Sequence, residues 1–209
     1  MVHIFKTSLI CAALVLSAYA TAILNVPRGG VVKVDENVSP GEWDDAASIP
    51  IVVEPGWQVR VRLKHDDENL YFLFSGLRHR NQRMFPELFI DPQNSCTSKW
   101  EEGQWWLHVS YNLCEGDGEP NVYRRADVFL CAHEKPAWEA NNPPASDTND
   151  VEIRVSYLKL RIKPTTGQYL GLAVAVTDAK GDANQKWFFW PPTAKVKSPN
   201  TWTEAVLKN

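Results

Sequence analysis

The sequence predicts an all-β chain folded as two stacked antiparallel sheets, with one face of each sheet on a shared core and long loops between strands. Three observations predict it. Past the first twenty or so residues, no stretch carries an amphipathic helical period of ordinary length. Short segments alternate apolar and polar side chains instead, separated by Gly, Pro, Asn and Asp. Prolines fall between the expected strands, where a missing N–H breaks no ladder.

The first segment stands apart. "MVHIFK" supplies one Lys, "SLICAALVLS" is apolar, and "AYA" (Ala18 to Ala20) is a small-x-small cleavage pattern. Residues 1–22 read as a secretory signal cut near Ala20 or Ala22. The apolar run is short for a membrane span, which disfavours an uncleaved anchor. The mature chain, 23–209, is long enough for one domain with a full core, and is expected to be a secreted or periplasmic monomer without a membrane span. The formal net charge of −3 falls to −4 once Lys6 leaves with the signal. No basic block stands out, which argues against nucleic acid as a partner. Three of the four cysteines remain, Cys96, Cys114 and Cys131. An oxidising compartment permits one disulfide among them. Spacing does not choose the pair; Cys114 and Cys131, flanking one irregular stretch, come first.

The strands follow in order. "VRVRLK" puts Val59, Val61 and Leu63 inward and Arg60, Arg62 and Lys64 outward. "NLYFLFSGL" (Asn69 to Leu77) is apolar on both faces, as a central strand covered on both sides must be. "PELFID" buries Leu88 and Ile90 and turns Glu87, Phe89 and Asp91 the other way. "WWLHVSY" puts Trp105, Leu107, Val109 and Tyr111 on the core and Trp106, His108 and Ser110 on the opposite face. "VEIRVS" buries Val151, Ile153 and Val155 and presents Glu152, Arg154 and Ser156. "YLGLAVAVTD" has a core lane of Leu170, Leu172, Val174 and Val176. Its other lane, Gly171, Ala173, Ala175 and Thr177, is nearly bare, which marks either a ligand or a segment of chain packed close. The long segment from Cys114 to Thr148 is irregular, and its Tyr123 and Trp138 suggest an ordered loop.

The chemistry of catalysis is missing. No phosphate-cradling glycine loop, nucleophile elbow or paired histidine ligands at helical spacing occurs. Carboxylates such as Glu87, Asp91 and Glu152 have no sequence feature that pairs them as a glycosidase requires. The expectation is a binding protein, not an enzyme. A sugar offers an apolar patch of C–H groups framed by hydroxyls, so a site for it needs an exposed ring and fixed polar groups. Nine tryptophans supply the rings. Trp106, beside His108 and Ser110, is expected on the ligand face, with Glu87, Asp91, Glu152 and Arg154 on neighbouring strands. Acidic and amide groups in "DPQNS" (Asp91, Asn94) and "DAKGDAN" (Asp178, Asp182) are candidate ligands for a structural calcium, although neither matches an EF-hand.

Taken together, the segments resemble family 9 carbohydrate-binding modules, within a wider superfamily of DOMON-like β-sandwiches. "VDENVSPGEWDDAASIP", with Trp43 as its landmark, is similar to that family's opening segment. "HDDENLYFLFSGL" is similar to the first central strand, and "PELFIDPQNS" to a Glu-x-x-x-Asp-Pro strand. "DVEIRVSYLKL", "LGLAVAVTDAKGDANQKWFFWP" and "SPNTWTEAVL" resemble the later strands and closing segment, so the likeness runs from 35 to 207. "WWLHVSYNLCEGDGEPNVY" departs from the pattern as an insertion. The resemblance implies a β-sandwich of jelly-roll or immunoglobulin-like type, often calcium-stabilised, that holds a glycan end between two rings. Trp187 or Trp190 is the candidate for one ring and Trp106 for the other. Related DOMON-like domains carry a b-type haem on Met with His or Lys. By that resemblance Met84, with Lys186, His108 or His133, forms an alternative ligand set, and the lane beside Gly171 a place for the macrocycle. A third reading is an exported sandwich for protein contacts, its aromatics buried.

Overall fold

Period-two alternation becomes two sheets that face each other across one apolar core. The computed structural model describes residues 23–35, 37–110, 113–117, 130–132, 138–141, 149–178 and 184–209, with the side chains of 113–117 and 130–132 excepted. The expected signal, 1–22, lies outside them, as do Tyr111, Tyr123, His133 and Asp182. The strands are β1 (Leu24–Val26), β2 (Ala47–Glu54), β3 (Trp57–His65), β4 (Asn69–Ser75), β5 (Arg78–His79), β6 (Gln82–Arg83), β7 (Phe85–Asp91) and β8 (Trp105–Val109). Then come β9 (Leu113–Asp117), β10 (Leu130–Ala132), β11 (Trp138–Ala140), β12 (Asp150–Ser156), β13 (Tyr169–Thr177), β14 (Trp187–Trp190) and β15 (Thr203–Leu207). No helix among the described residues is long and apolar enough to cross a membrane.

The first sheet runs β1-β15-β13-β7-β8-β9-β10, with β14 also paired to β13. The second runs β11-β12-β4-β3-β2, and β5 and β6 form a small hairpin of their own. All pairings are antiparallel except β1 against β15. β13 is long enough to pair with β15 along its first half and with β14 along its second. Strands β9 and β10 structure part of the segment expected as a loop, and their register sets Cys114 opposite Cys131. Cys96 is exposed, with its thiol free.

The inward lanes read from the sequence meet in one core. Val59, Val61 and Leu63 of β3 pack with Leu88 and Ile90 of β7, Trp105, Leu107 and Val109 of β8, and the apolar lanes of β12 and β13. β4 is the central, doubly covered strand that "NLYFLFS" required. Its Leu70, Phe72 and Phe74 face the core, while Tyr71 and Leu73 lie under Val32 and Trp43 on the other side.

Two expectations are corrected. Proline does occur within strands: Pro50 in β2 and Pro86 in β7. β2 pairs only with β3, so the N–H that Pro50 lacks is one an edge strand can spare. Lys64 points outward as alternation demands but is 1 % exposed. The chain before β2 crosses the outer face of the second sheet and seals it. There the Lys64 Nζ donates to the Glu42 carbonyl at 2.6 Å and to Asp45 Oδ1 at 2.9 Å.

Candidate functional site

The outer face of the first sheet is built from cross-strand rows. On β7 the lane Glu87, Phe89, Asp91 faces out. Register places Ala175 on one side of Glu87 and His108 on the other, and Ala173 and Trp106 on either side of Phe89. Small residues on β13 leave room above them, and aromatic side chains fill it. The Phe89 ring lies 5.6 Å from Trp106, 5.7 Å from Phe189, 5.7 Å from Trp202 and 6.3 Å from Trp187. Trp187 stacks on Phe189 at 12° and meets Trp106 at 5.8 Å. Trp100, at the turn leading into β8, lies 5.9 Å from Trp106. Phe89 and Trp202 are buried, while Trp100, Trp106, Trp187 and Phe189 are half-buried and form the outer layer.

Glu87 fixes this layer from beneath. It is 1 % exposed and accepts the Trp106 indole N–H on Oε2 at 2.6 Å, with His108 Nδ1 2.6 Å from Oε1. Burial pushes the Glu87 carboxyl up, more than His108 and the two hydrogen bonds pull it down. Burial works to lower His108, but the Glu87 charge and hydrogen bond outweigh it, so its pKa rises. Glu87, held by His108 on one oxygen, pins the edge of the Trp106 indole with the other.

The bare lane of β13 is covered by the chain itself, not left open. A Cβ on Gly171 would lie 2.9 Å from the Asp91 Cβ, and Ala173 and Ala175 pack beneath Trp202 and Ala194. No space for a flat macrocycle remains over that lane. The Gly171→Ala variant is expected to unfold about 1–3 kcal/mol more easily in a urea titration, because Asp91 is held too firmly to give way.

Asp91 holds the turn that follows β7. Its Oδ2 accepts the Ser95 N–H at 2.8 Å, the Ser95 hydroxyl at 2.9 Å and the Cys96 N–H at 3.3 Å, and its Oδ1 accepts the Gln93 N–H at 3.3 Å. Asn94 donates to Glu204 at 3.1 Å and accepts from the Cys96 thiol. Asp91 and Asn94 thus hold the turn after β7 together, while Asp182 lies outside the described residues. Asp178 sits at the opposite end of β13 and accepts the Lys186 N–H at 3.0 Å. Among the described residues, no three His, Cys, Asp or Glu side chains cluster as metal ligands.

Three residues expected near Trp106 lie elsewhere. Glu152 and Arg154 belong to β12 and thus to the outer face of the second sheet, a full sandwich thickness away. Alternation reports the side of a strand but not its sheet. Arg154 pairs with Glu139 at 2.9 Å. Trp190 falls on the inward lane of β14 and packs, with Phe188, against the core, so only Trp187 reaches the outer layer.

Glu152 has a different task. Fully buried, it accepts the Trp43 indole N–H at 3.0 Å and the Asp35 N–H at 3.3 Å, fastening the segment that covers the second sheet. Burial first, then the charges of Glu42 and Asp35, push its carboxyl up to about 7 against the hydrogen bonds. An acid raised in the fold binds more protons folded than unfolded between its ordinary value and about 7. Its contribution to stability is therefore full at the acid end of that window, declines as pH rises through it, and is flat above. The loss is on the order of 2 kcal/mol. Urea midpoints from pH 5 to 8 are expected to show this decline, and Glu152→Gln, which keeps a side-chain carbonyl, to flatten it.

Beside the aromatic layer, where β14 runs next to β2, a cavity of about 730 Å³ opens. Gln82, Arg83, Asp178, Lys186, Trp187 and the buried Met84 line it, with Val53, Glu54 and Phe188 completing the wall. Trp187 belongs to both layer and cavity. Sequence reasoning missed Phe89 as the hub, although its lane was legible. It also missed Gln82 and Arg83, which carry no motif and arrive through the β5–β6 hairpin.

No protein-family profile and no curated protein matches the chain. Solved structures do. A family 9 carbohydrate-binding module (CBM9) from Caldicellulosiruptor kristjanssonii, in complex with cellotriose, superposes with a TM-score of 0.61 at 18% identity, over 90% of this chain and 94% of that one. A family 9 module from the same organism, in complex with glucose, gives 0.60 at 17% identity, over 90% and 96%. At that identity the likeness is one of fold: the chain has a family 9-like β-sandwich fold.

Proposed function

We propose that this family 9-like sandwich is an exported, non-catalytic glycan-binding module, and that Trp187 is the ring on which the sugar sits. One observation carries the reading. Trp187 stands at the junction of a half-buried aromatic layer and a cavity whose wall mixes amide, cationic and acidic side chains. A pyranose needs that combination: an indole for its C–H face and donors and acceptors for its hydroxyls. Trp106, held edge-on by Glu87, extends the layer for a second sugar unit. The neighbouring modules, with cellotriose and with glucose bound, support the ligand class.

Intrinsic tryptophan fluorescence, titrated with glucose, cellotriose and other soluble oligosaccharides and their end-reduced forms, tests it. A saturable change is the expected result, and its loss on end reduction would mean that chain ends are read. No response from folded protein across the panel contradicts the proposal.

A second reading rests on a specific feature of the same cavity. Met84, 3 % exposed, and Lys186 both line it. A thioether and an amine facing one cavity are a donor set that fits a b-type haem, which supplies one-electron chemistry when bound. His108 does not share the site, since it is not among the residues that line the cavity. Haem titration with a Soret readout decides this reading. A band that forms in the native protein and is lost in Met84→Ala favours it, and absence of any band after reconstitution removes it.

A further inference from the structure

Three cysteines lie beyond the expected signal, and the fold sorts them by position. Strands β9 and β10 are antiparallel, and their register sets Cys114 directly opposite Cys131. Residues opposed in this way have Cα atoms about 4.5–5.5 Å apart, inside the range of about 4.4–6.8 Å that a disulfide spans. Paired positions also share one face of the sheet. Cys96 stands elsewhere. Its N–H donates to Asp91 Oδ2 at 3.3 Å and its thiol to Asn94 Oδ1 at 3.6 Å. The row of Cys131 and Cys114 continues through His108 of β8 to Glu87 of β7. Glu87 is four residues along β7 from Asp91, about 13 Å by strand rise, and Cys114 is two strands further across. No bridge from Cys96 spans that distance. Partial burial, then the charges of Asp91 and Glu204, also push the Cys96 thiol up, away from the thiolate that disulfide exchange needs.

We infer that Cys114 and Cys131 are joined by a cross-strand disulfide, with Cys96 left as the free thiol, and that the bridge closes the edge of the sheet carrying the aromatic layer. β10 ends that sheet and pairs with β9 through three residues, Leu130, Cys131 and Ala132. A pairing that short adds little stability alone. A covalent tie at its middle position fixes the register and closes a loop of sixteen intervening residues. The bridged row also holds His108 and Glu87, so the tie braces the row on which the Trp106 indole is pinned. Forming the bond takes one hydrogen and one electron from each thiol. A disulfide-carrying thiol oxidant of the exporting compartment accepts them through a mixed disulfide and leaves as two thiols. The step thus rests on the exported part of the reading above, while the choice of pair rests on the register.

Peptide mapping tests it. Trypsin separates the three cysteines, because Lys99 lies between Cys96 and Cys114, and Arg124 and Arg125 lie between Cys114 and Cys131. Protein freshly isolated from its host, and protein first held in a buffer of reduced and oxidised glutathione, are unfolded in urea with an alkylating reagent present. Both are digested without reduction and measured by mass spectrometry. The expected product, from monomeric chain, joins the Cys114 peptide to the Cys131 peptide and is lighter than their sum by two hydrogens, with Cys96 alone alkylated. Cys96→Ser keeps the bridge, and Cys131→Ser leaves Cys114 without an intramolecular partner. A bridge that forms in the glutathione buffer but is absent from freshly isolated protein supports the pair and contradicts export. A bridge that includes Cys96 or joins two chains, or three alkylated thiols in both samples, overturns the inference.

Discussion

Trp187→Ala is expected to lower glycan affinity by at least about thirtyfold, the scale set by aromatic anchors at the centre of binding sites. The residue contributes to both parts of the site, so its removal takes the stacking surface and one wall of the cavity together. Stability should suffer less. Trp187 is half-buried, and its chief ring partner Phe189 keeps its contact with Phe89. A loss of about 1–2 kcal/mol in urea unfolding is expected, small enough for the variant to fold. Trp187→Phe retains a ring and is expected to recover part of the affinity. Calorimetric titration of the two variants beside the native protein separates lost stacking from lost fold. An affinity unchanged in Trp187→Ala would move the site elsewhere.

Glu87→Ala acts on the same layer from below, with its largest effect on stability. Glu87 is buried at the centre of the face and takes the Trp106 indole N–H and the His108 ring on its two oxygens. Alanine leaves both partners unsatisfied and a cavity beneath them. The expected cost is about 2–4 kcal/mol in unfolding free energy, with glycan affinity reduced as Trp106 loses its fixed edge. Glu87→Gln offers a carbonyl to the indole and an amide N–H to a neutral His108, and is expected to recover most of the stability. If Glu87→Ala unfolds like the native protein, the carboxylate does not hold the layer.

How much of this was legible in the sequence depends on what period-two alternation can and cannot encode. It separated core from outer lanes in β3, β7, β8, β12 and β13, because a strand buried on one side has no other way to arrange its apolar groups. It therefore placed Trp105 inward and Trp106 outward, and identified the Glu87–His108 side as a polar outer face. It could not tell which sheet a strand joins, so Glu152 and Arg154 were grouped with Trp106, although register pairs β12 with β4. Nor did it show that outer faces would be covered. Lys64, Glu152 and Asp91 are all outward by alternation and all buried, because the segment before β2 lies over the first two and the turn from Gln93 to Cys96 folds back on the third. In "WFFW" the same rule applied, but a four-residue strand with aromatics at every position offers no contrast from which to choose Trp187 over Trp190. Lys197 had no local signal at all. Its Nζ lies over the Trp100 and Trp106 rings because the fold alone brings its turn to them.

The indole N–H resonances of the protein, followed by NMR during titration with cellotriose and with glucose, report where the proposed glycan site lies. Each of the nine tryptophans reports separately. Binding at the proposed site shifts Trp187 and Trp106 saturably and leaves Trp43 and Trp138, buried against the second sheet away from the cavity, unmoved. Shifts confined to other indoles, or a spectrum unchanged by either ligand, would contradict it.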